Sequence, residues 1–461
     1  MDSLYRKIPS VDRVLQHDRL RLLLETHPRE LVVHQVQRAL SELRSQVQTD
    51  PDSTALEADI ARLPETVDRL LRQSIQLPLR RVINATGVVI HTNLGRSPLD
   101  PEAIDYLREV SNGYCNIEYD LETGGRSHRE IHIESVLEQI TGHKVAAAVV
   151  NNNAAAVFLI LETLASGGEV IVSRGELVEI GGSFRIPEIL EKSGAKLREV
   201  GTTNKTRADD YARAISKNTR LILRVHPSNF HIVGFTERPA LQELVELARR
   251  HELPLVEDLG SGLISDNPAF AETEPTVRSS LNAGVDLICF SGDKLLGATQ
   301  AGVILGNPKW IKRIRSNPLM RALRLDKTGY AILVHSLYRY LTGEKERLPI
   351  HHFLTLAVSE LKTRAEKLSK QVTAGRVELR DSFSLVGGGS APDVKIDTIV
   401  LVFEPGERSA EAMHRFLRQQ EPPIVARIEE NRLIVDLRTV WPDDDTTIAD
   451  AVNRFYRASD A

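Results

Sequence analysis

Between residues 144 and 306, short apolar β-branched runs alternate with helix-like stretches; the runs fall at 145–150, 170–172, 221–225, 255–256, 287–290 and 302–305. Runs of this length, separated by amphipathic segments, predict a mostly parallel sheet with helices on both faces, so the expected fold class is α/β. In such sheets the chemistry gathers at the carboxyl ends of the strands. Upstream, residues 11–46 carry Leu and Val at helical spacing, residues 51–53 interrupt the pattern, and residues 54–73 resume it. A helical N-terminal domain follows from that periodicity. Residues 76–81, with Pro78, read as a linker. A helical region runs from 311 to about 371, and residues 377–461 offer strand-like 398–403 and 432–437 between helical stretches. The expected division is therefore 1–75 (helical), 76–325 (large α/β) and 326–461 (smaller α/β).

Length and composition narrow the class. At 461 residues and 41% hydrophobic content the chain can bury one large core and smaller ones beside it. It has no run of about 18 apolar residues, and residues 1–13 lack the apolar centre of a signal peptide, so a cytoplasmic protein with no membrane contact is expected. The two cysteines, Cys115 and Cys289, are far apart and lack metal-ligand spacing, which argues against a disulfide framework or a metal site and for reduced packing residues. Net charge is −4, and residues 1–80 balance twelve Lys or Arg against twelve Asp or Glu. A nucleic-acid partner would have to be met locally, for instance by Arg19, Arg21 and Arg38.

Three local features carry candidate chemistry. Ser-Gly-Asp-Lys-Leu-Leu-Gly at 291–297 puts Lys294 just past a buried-looking strand. A desolvated lysine amine has a lowered pKa and forms Schiff bases readily; the alternative is a turn lysine in water. Ser291, three residues earlier, is placed to hold a cofactor phosphate. Asp258 stands at the end of another short strand, where a carboxylate can keep a pyridine nitrogen protonated, or simply cap the turn before Gly260. The 36 residues from Asp258 to Lys294 suffice for one helical crossover to an adjoining strand. Asn-Asn-Asn-Ala-Ala-Ala at 151–156 opens an apolar helical run, and its backbone N–H groups can receive a phosphate or serve as an ordinary helix start. Asn152, Asn153 and Ala154 are the candidates. A phosphate loop, an aspartate and Ser-x-x-Lys, in that order, resemble the fold-type-I pyridoxal-phosphate enzymes, the aspartate-aminotransferase fold. That fold commonly stacks an aromatic ring or His over the cofactor, and residues 173–182 contain neither.

Longer motifs point further. They are Arg-Lys-Ile-Pro-Ser-Val-Asp at 6–12, Ile-Asn-Ala-Thr-Gly-Val-Val-Ile-His-Thr-Asn-Leu-Gly-Arg-Ser-Pro-Leu at 83–99, Tyr-Asp-Leu-Glu-Thr-Gly-Gly-Arg at 119–126, Val-Val-Asn-Asn-Asn-Ala-Ala-Ala at 149–156, Ser-Arg-Gly-Glu at 173–176, Ile-Gly-Gly-Ser-Phe-Arg-Ile-Pro at 180–187, His-Pro-Ser-Asn-Phe at 226–230 and Asn-Pro-Leu-Met-Arg-Ala-Leu-Arg at 317–324. With the lysine motif, they make the chain resemble the bacterial L-seryl-tRNA(Sec) selenium transferases, or selenocysteine synthases, essentially end to end. The resemblance implies conversion of seryl-tRNA(Sec) to selenocysteinyl-tRNA(Sec), with pyridoxal 5'-phosphate as cofactor on Lys294 and selenophosphate as selenium donor. It implies that Arg96, Arg321 and Arg324 bind selenophosphate, that Asp293 assists catalysis and that His226 belongs to the cofactor site. On a helix, Arg321 and Arg324 would share a face. It also implies that residues 1–75 recognise the tRNA, that the enzyme is a homo-oligomer, a decamer built as a pentamer of dimers, and that its active sites lie at dimer interfaces. Two rivals remain: a small-molecule ammonia-lyase or β-eliminating enzyme of the same fold, and a catalytically idle tRNA-binding or scaffold protein that kept the fold. Arg427, where an aminotransferase would bind a substrate carboxylate, is read as a structural or tRNA-end contact, because an esterified seryl group has no free carboxylate.

Overall fold

Seven strands make the large sheet: β1 (Ala146–Val150), β2 (Glu169–Ser173), β3 (Lys196–Val200), β4 (Thr219–Val225), β5 (Leu255–Gly260), β6 (Leu287–Ser291) and β7 (Gly302–Gly306), in the spatial order β1-β7-β6-β5-β4-β2-β3. The computed structural model describes residues 2–49, 53–180, 184–230, 232–264, 270, 274–391 and 394–458. Residues 51–52 of the expected helix break, 181–183 of the 180–187 motif and the chain end 459–461 therefore lie outside the described residues. β7 runs antiparallel to both neighbours, and the other six strands are mutually parallel. Each expected apolar run became a strand. β3 was not expected: its Lys196, Arg198 and Glu199 break any apolar run, because an edge strand has one side open to water and keeps charges there.

Helices cover both faces. Asn153–Ala165 is apolar around most of its circumference and buries seven residues, including Val157, Leu159 and Leu161, against the sheet. The opposite face packs beneath Ile131–Thr141, Leu241–Arg250 and Lys327–Leu341. A second, five-stranded sheet takes the order Arg427–Glu429, Arg432–Asp436, Lys395–Glu404, Arg376–Gly387, Val88–Ile90. Its long strand Arg376–Gly387 was not expected either, since polar and charged residues such as Glu378, Arg380 and Asp381 interrupt every apolar run along it. Val88–Ile90 joins this sheet in parallel, with Gly387 opposite Ile90. Arg427 is tied down there, donating to Glu429 Oε1 (2.7 Å), the Thr86 carbonyl (2.6 Å) and Ser382 Oγ (3.2 Å). These contacts match the structural alternative for that residue.

The chain separates into two compact units, residues 1–81 and 82–461. In the first, the expected helical run is divided into Val11–Leu15, Asp18–Thr26 and Arg29–Thr49, with breaks at His17 and Pro28, and Ser53–Ala61 and Leu63–Ile75 follow. Ser10 caps the first of these helices through its hydroxyl, and proline at 28 fits only a helix start. Leu20, Val32, Val36, Leu40, Val67, Leu70 and Leu71 form that unit's core. Among the described residues no helix is long and apolar enough to cross a membrane. Cys115 and Cys289 are free thiols, half-buried and buried respectively.

Candidate active site

The sheet brings the sequence candidates to one edge. β5 and β6 are adjacent and parallel, with Cys289 in register opposite Asp258, so the aspartate and the turn after β6 meet at the carboxyl end. Lys294 lies in that turn, only 5% exposed, and its Nζ donates to the Gly389 carbonyl at 3.0 Å. Burial pushes its pKa below the usual lysine range; Asp258 pulls it back up, and the charge of Arg96 lowers it further. An amine in this setting spends a larger fraction of its time neutral and nucleophilic.

Asp258 is buried as well, and burial raises its carboxyl above the ordinary range, opposed by hydrogen bonds from Asn153 and Cys289 and by the charge of Lys294. The Asn153 bond is short and direct, Nδ2 to Oδ1 at 2.8 Å. Asn153 is thus committed to the carboxylate, and Asn152 is the helix N-cap, its Oδ1 accepting from Ala155 N at 2.9 Å. What remains for an anion at this helix start is backbone: the N–H groups of Asn153 and Ala154 precede the first intrahelical bonds. Ser291 closes β6 opposite Gly302, whose place admits no side chain, since a Cβ there would collide with the Asn152 carbonyl. Gly302 therefore stands between Ser291 on one side and Val150, which leads into the asparagine loop, on the other.

His226 follows β4; its backbone N donates to the Asp258 carbonyl at 2.9 Å, and its Nε2 shares a 3.1 Å hydrogen bond with the buried carboxylate of Glu274. Glu274 also accepts from Ala391 N at 3.2 Å. Asp293 pairs through Oδ2 with Arg96 Nη1 at 2.7 Å. Its second oxygen is buried without a partner among the described residues. Arg96 has φ of 62°, a left-handed conformation that costs a non-glycine residue energy and fixes the side chain beside the lysine turn.

The two remaining arginines separate. The helix Leu319–Leu323 ends before Arg324, whose backbone is extended (ψ 142°), so the two do not share a helical face as their spacing suggested. Arg324 bridges to Val150 in β1, beside the asparagine loop, and its Nη1 meets Glu118 Oε1 at 2.9 Å. Glu118 also holds Arg129 and Arg126, and these cations keep its carboxyl below the ordinary range, Arg129 foremost. Arg321 is exposed and makes no ion pair among the described residues. Sequence reasoning missed Glu118, Glu274, Ser228 and Gly389. Ser228 and Glu118 lie in or next to motifs already singled out, but nothing in the spacing brings Gly389 or Glu274 to the lysine.

The donor set fits pyridoxal phosphate. Ser228 Oγ, Ser261 Oγ, Asn153 Oδ1 and Asp293 Oδ1 are buried with no hydrogen-bond partner among the described residues, an arrangement folded proteins rarely leave unless a ligand or water completes it. Ser228 Oγ and Lys294 Nζ are neighbours: a Cβ built on Gly260 would lie 3.7 Å from the first and 3.9 Å from the second. A buried amine, a buried carboxylate one strand away and open N–H groups at a helix start are what an aldehyde, a pyridine nitrogen and a phosphate require.

A doubly covered, mostly parallel sheet with this lysine at its carboxyl edge defines the class of fold-type-I pyridoxal-phosphate enzymes. Among solved structures, D-glucosaminate-6-phosphate ammonia-lyase superposes with a TM-score of 0.60 at 20% identity, over 85% of this chain and 99% of that one, a likeness of fold. The sequence is more specific: the L-seryl-tRNA selenium transferase family model matches residues 82–441, and a model described as selenocysteine synthase N terminal matches residues 5–44. The chain belongs to the L-seryl-tRNA selenium transferase family. It is 43% identical over 450 residues to the L-seryl-tRNA(Sec) selenium transferase of Carboxydothermus hydrogenoformans, covering 96% of each chain. To that of Geobacter metallireducens it is 44% identical over 461 residues, 98% of this chain and 99% of the relative. Aquifex aeolicus has one at 42% identity over 453 residues.

Proposed function

We propose that this chain replaces the seryl hydroxyl of seryl-tRNA(Sec) with selenium taken from selenophosphate, giving selenocysteinyl-tRNA(Sec). The observation that carries the reading is Lys294, buried at the carboxyl edge among Asp258, Ser228 and Arg96. Pyridoxal phosphate, when bound, supplies the electron sink that makes the serine Cα proton removable. Lys294 would hold it, Asp258 would partner its ring nitrogen, Ser291 and the helix start at Asn152, Asn153 and Ala154 would receive its phosphate, and His226 would belong to its site. Asn153 acts chiefly by orienting Asp258.

The chain's own groups then move the protons. Lys294 Nζ, whose hold on a proton is weakened by burial, accepts the Cα proton and later returns it. The β-hydroxyl leaves as water, and Asp293, adjacent to Lys294 in sequence and paired with Arg96, is the residue assigned to assist its departure. Selenium adds to the β-carbon, and hydrolysis of its bond to phosphorus consumes one water and releases phosphate, which balances the water lost in the elimination. Arg96 beside Asp293, Arg324 beside Val150, and Arg321, which makes no ion pair among the described residues, supply the cations for the selenophosphate anion; guanidinium forks match its oxygens two at a time.

Residues 1–75 are read as the tRNA-recognising part, supported by the match at residues 5–44. The working assembly is a decamer, a pentamer of dimers, in the cytoplasm. The test is incubation of the purified holoenzyme with seryl-charged tRNA(Sec) and selenophosphate, followed by deacylation and identification of the amino acid. Selenocysteine is the expected product. Unchanged serine from a protein that carries its cofactor overturns the substrate assignment and leaves a small-molecule lyase.

A further inference from the structure

The segment 307–325 contains six Lys or Arg and no Asp or Glu, in a chain where acidic residues outnumber basic ones 63 to 59. Two of the six are neutralised locally: Arg315 by Glu134, and Arg324 by Glu118. Lys309, Lys312, Arg313 and Arg321 are exposed and have no carboxylate partner among the described residues. The first three stand on one helix, Pro308–Arg315, at i, i+3 and i+4, and so share a face. They line a surface groove of about 490 Å³ with Glu162, Thr163 and Ser316. Its one acidic group, Glu162, is engaged by the Asn317 amide. Lys309 (4.6 Å) and Arg313 (5.3 Å) both lie over the Trp310 ring, whose π face attracts the two cations.

Chain direction makes this row more than a solvated helix face. β7 is antiparallel, so it ends at the sheet edge opposite the active site. The helix Pro308–Arg315 and then Leu319–Leu323 must return the chain to Val150, where Arg324 bridges beside the asparagine loop. Both helices pack on Asn153–Ala165. The unpaired cations therefore follow the flank of the sheet towards the catalytic edge. Like charges gathered without counter-charges repel one another and are relieved by a polyanion.

We propose that Lys309, Lys312 and Arg313 bind the RNA backbone of the aminoacylated arm, sequence-independently, as its 3' end enters the active site. The inference rests on the tRNA reading above. Phosphates match compact cations spaced along a helix, whereas a protein partner would need its own acidic ridge.

The test compares the full-length holoenzyme with the triple variant Lys309→Ala/Lys312→Ala/Arg313→Ala. The measurement is the dissociation constant of seryl-charged tRNA(Sec), and of a bulk serine tRNA, over a series of salt concentrations. All three side chains are exposed, and cofactor absorbance reports folding. The expected result is weaker binding by the same factor for both tRNAs, with the log–log salt slope reduced by about 1 per lost phosphate contact, about 3 in all. An unchanged affinity and slope in the variant, while the wild type still makes selenocysteine, overturns this inference and spares the functional reading. A variant that keeps its tRNA affinity but changes its oligomeric state overturns it in favour of a protein interface. A wild type that binds no tRNA overturns both.

Discussion

The side-chain amide of Asn153 donates to Oδ1 of Asp258 across 2.8 Å, so the first residue of a helix and the fourth residue of β5 act as one unit. The spacing of the asparagine run suggests a phosphate cup. The structure gives the second of its two candidate side chains a different task, setting the ionisation of the carboxylate at the heart of the site.

That relationship has a pH signature. Burial raises the Asp258 carboxyl and the Asn153 amide lowers it, so Asn153→Ala should raise it further. The ionised form is then lost at a higher pH as the solution is acidified. The acidic limb of the kcat/KM profile should move up by about one pH unit, the worth of a hydrogen bond to a charged group. An unmoved limb would mean that Asn153 does not govern Asp258.

Lys294→Ala should lower turnover by about ten-thousand-fold or more, since both the attachment point and the proton acceptor disappear. Product formation from seryl-tRNA(Sec) measures it, and near-normal rates would refute the assignment.

In the cofactor-free protein the same lysine is a burden. Its pKa is lowered from 10.5 by burial, so the unfolded chain binds its proton more tightly than the folded one. The penalty is full below the folded pKa and fades as pH rises towards the unfolded value. Lys294→Met should therefore raise the melting temperature of the cofactor-free enzyme, by an amount that shrinks as pH rises towards 10.5. A gain independent of pH would point to packing instead.

Gly389 has φ of 77°, and a Cβ there would lie 2.5 Å from Lys294 Nζ. Gly389→Ala should cost about 1–2 kcal/mol from backbone strain alone and weaken cofactor binding besides. Denaturant unfolding and cofactor titration read the two effects separately.

Arg321→Ala and Arg324→Ala should spare loss of the serine hydroxyl and slow selenium addition by about ten- to a hundredfold. Because Arg321 has no ion-pair partner to lose among the described residues, its variant should fold like the wild type, whereas Arg324→Ala also loosens Glu118. If both half-reactions fell together in the Arg321 variant, the anion-site reading would fail.

The sequence by itself determined the strands of the buried sheet, because a strand covered on both faces must be apolar throughout and shows as a continuous run. It determined Lys294, Asp258 and the asparagine loop as candidates, since each alone has an ordinary structural use but the three in that order do not. It left out β3 and Arg376–Gly387, whose half-open positions let charged residues interrupt the pattern. Only the tertiary structure decided that Arg324 leaves its helix to pair with Glu118, that Glu274 anchors His226, and that Gly389 lies against the lysine from 95 residues away. These contacts join segments distant in sequence. Periodicity records how a segment meets water and core, but carries no information on which remote backbone carbonyl or carboxylate a buried cation will find.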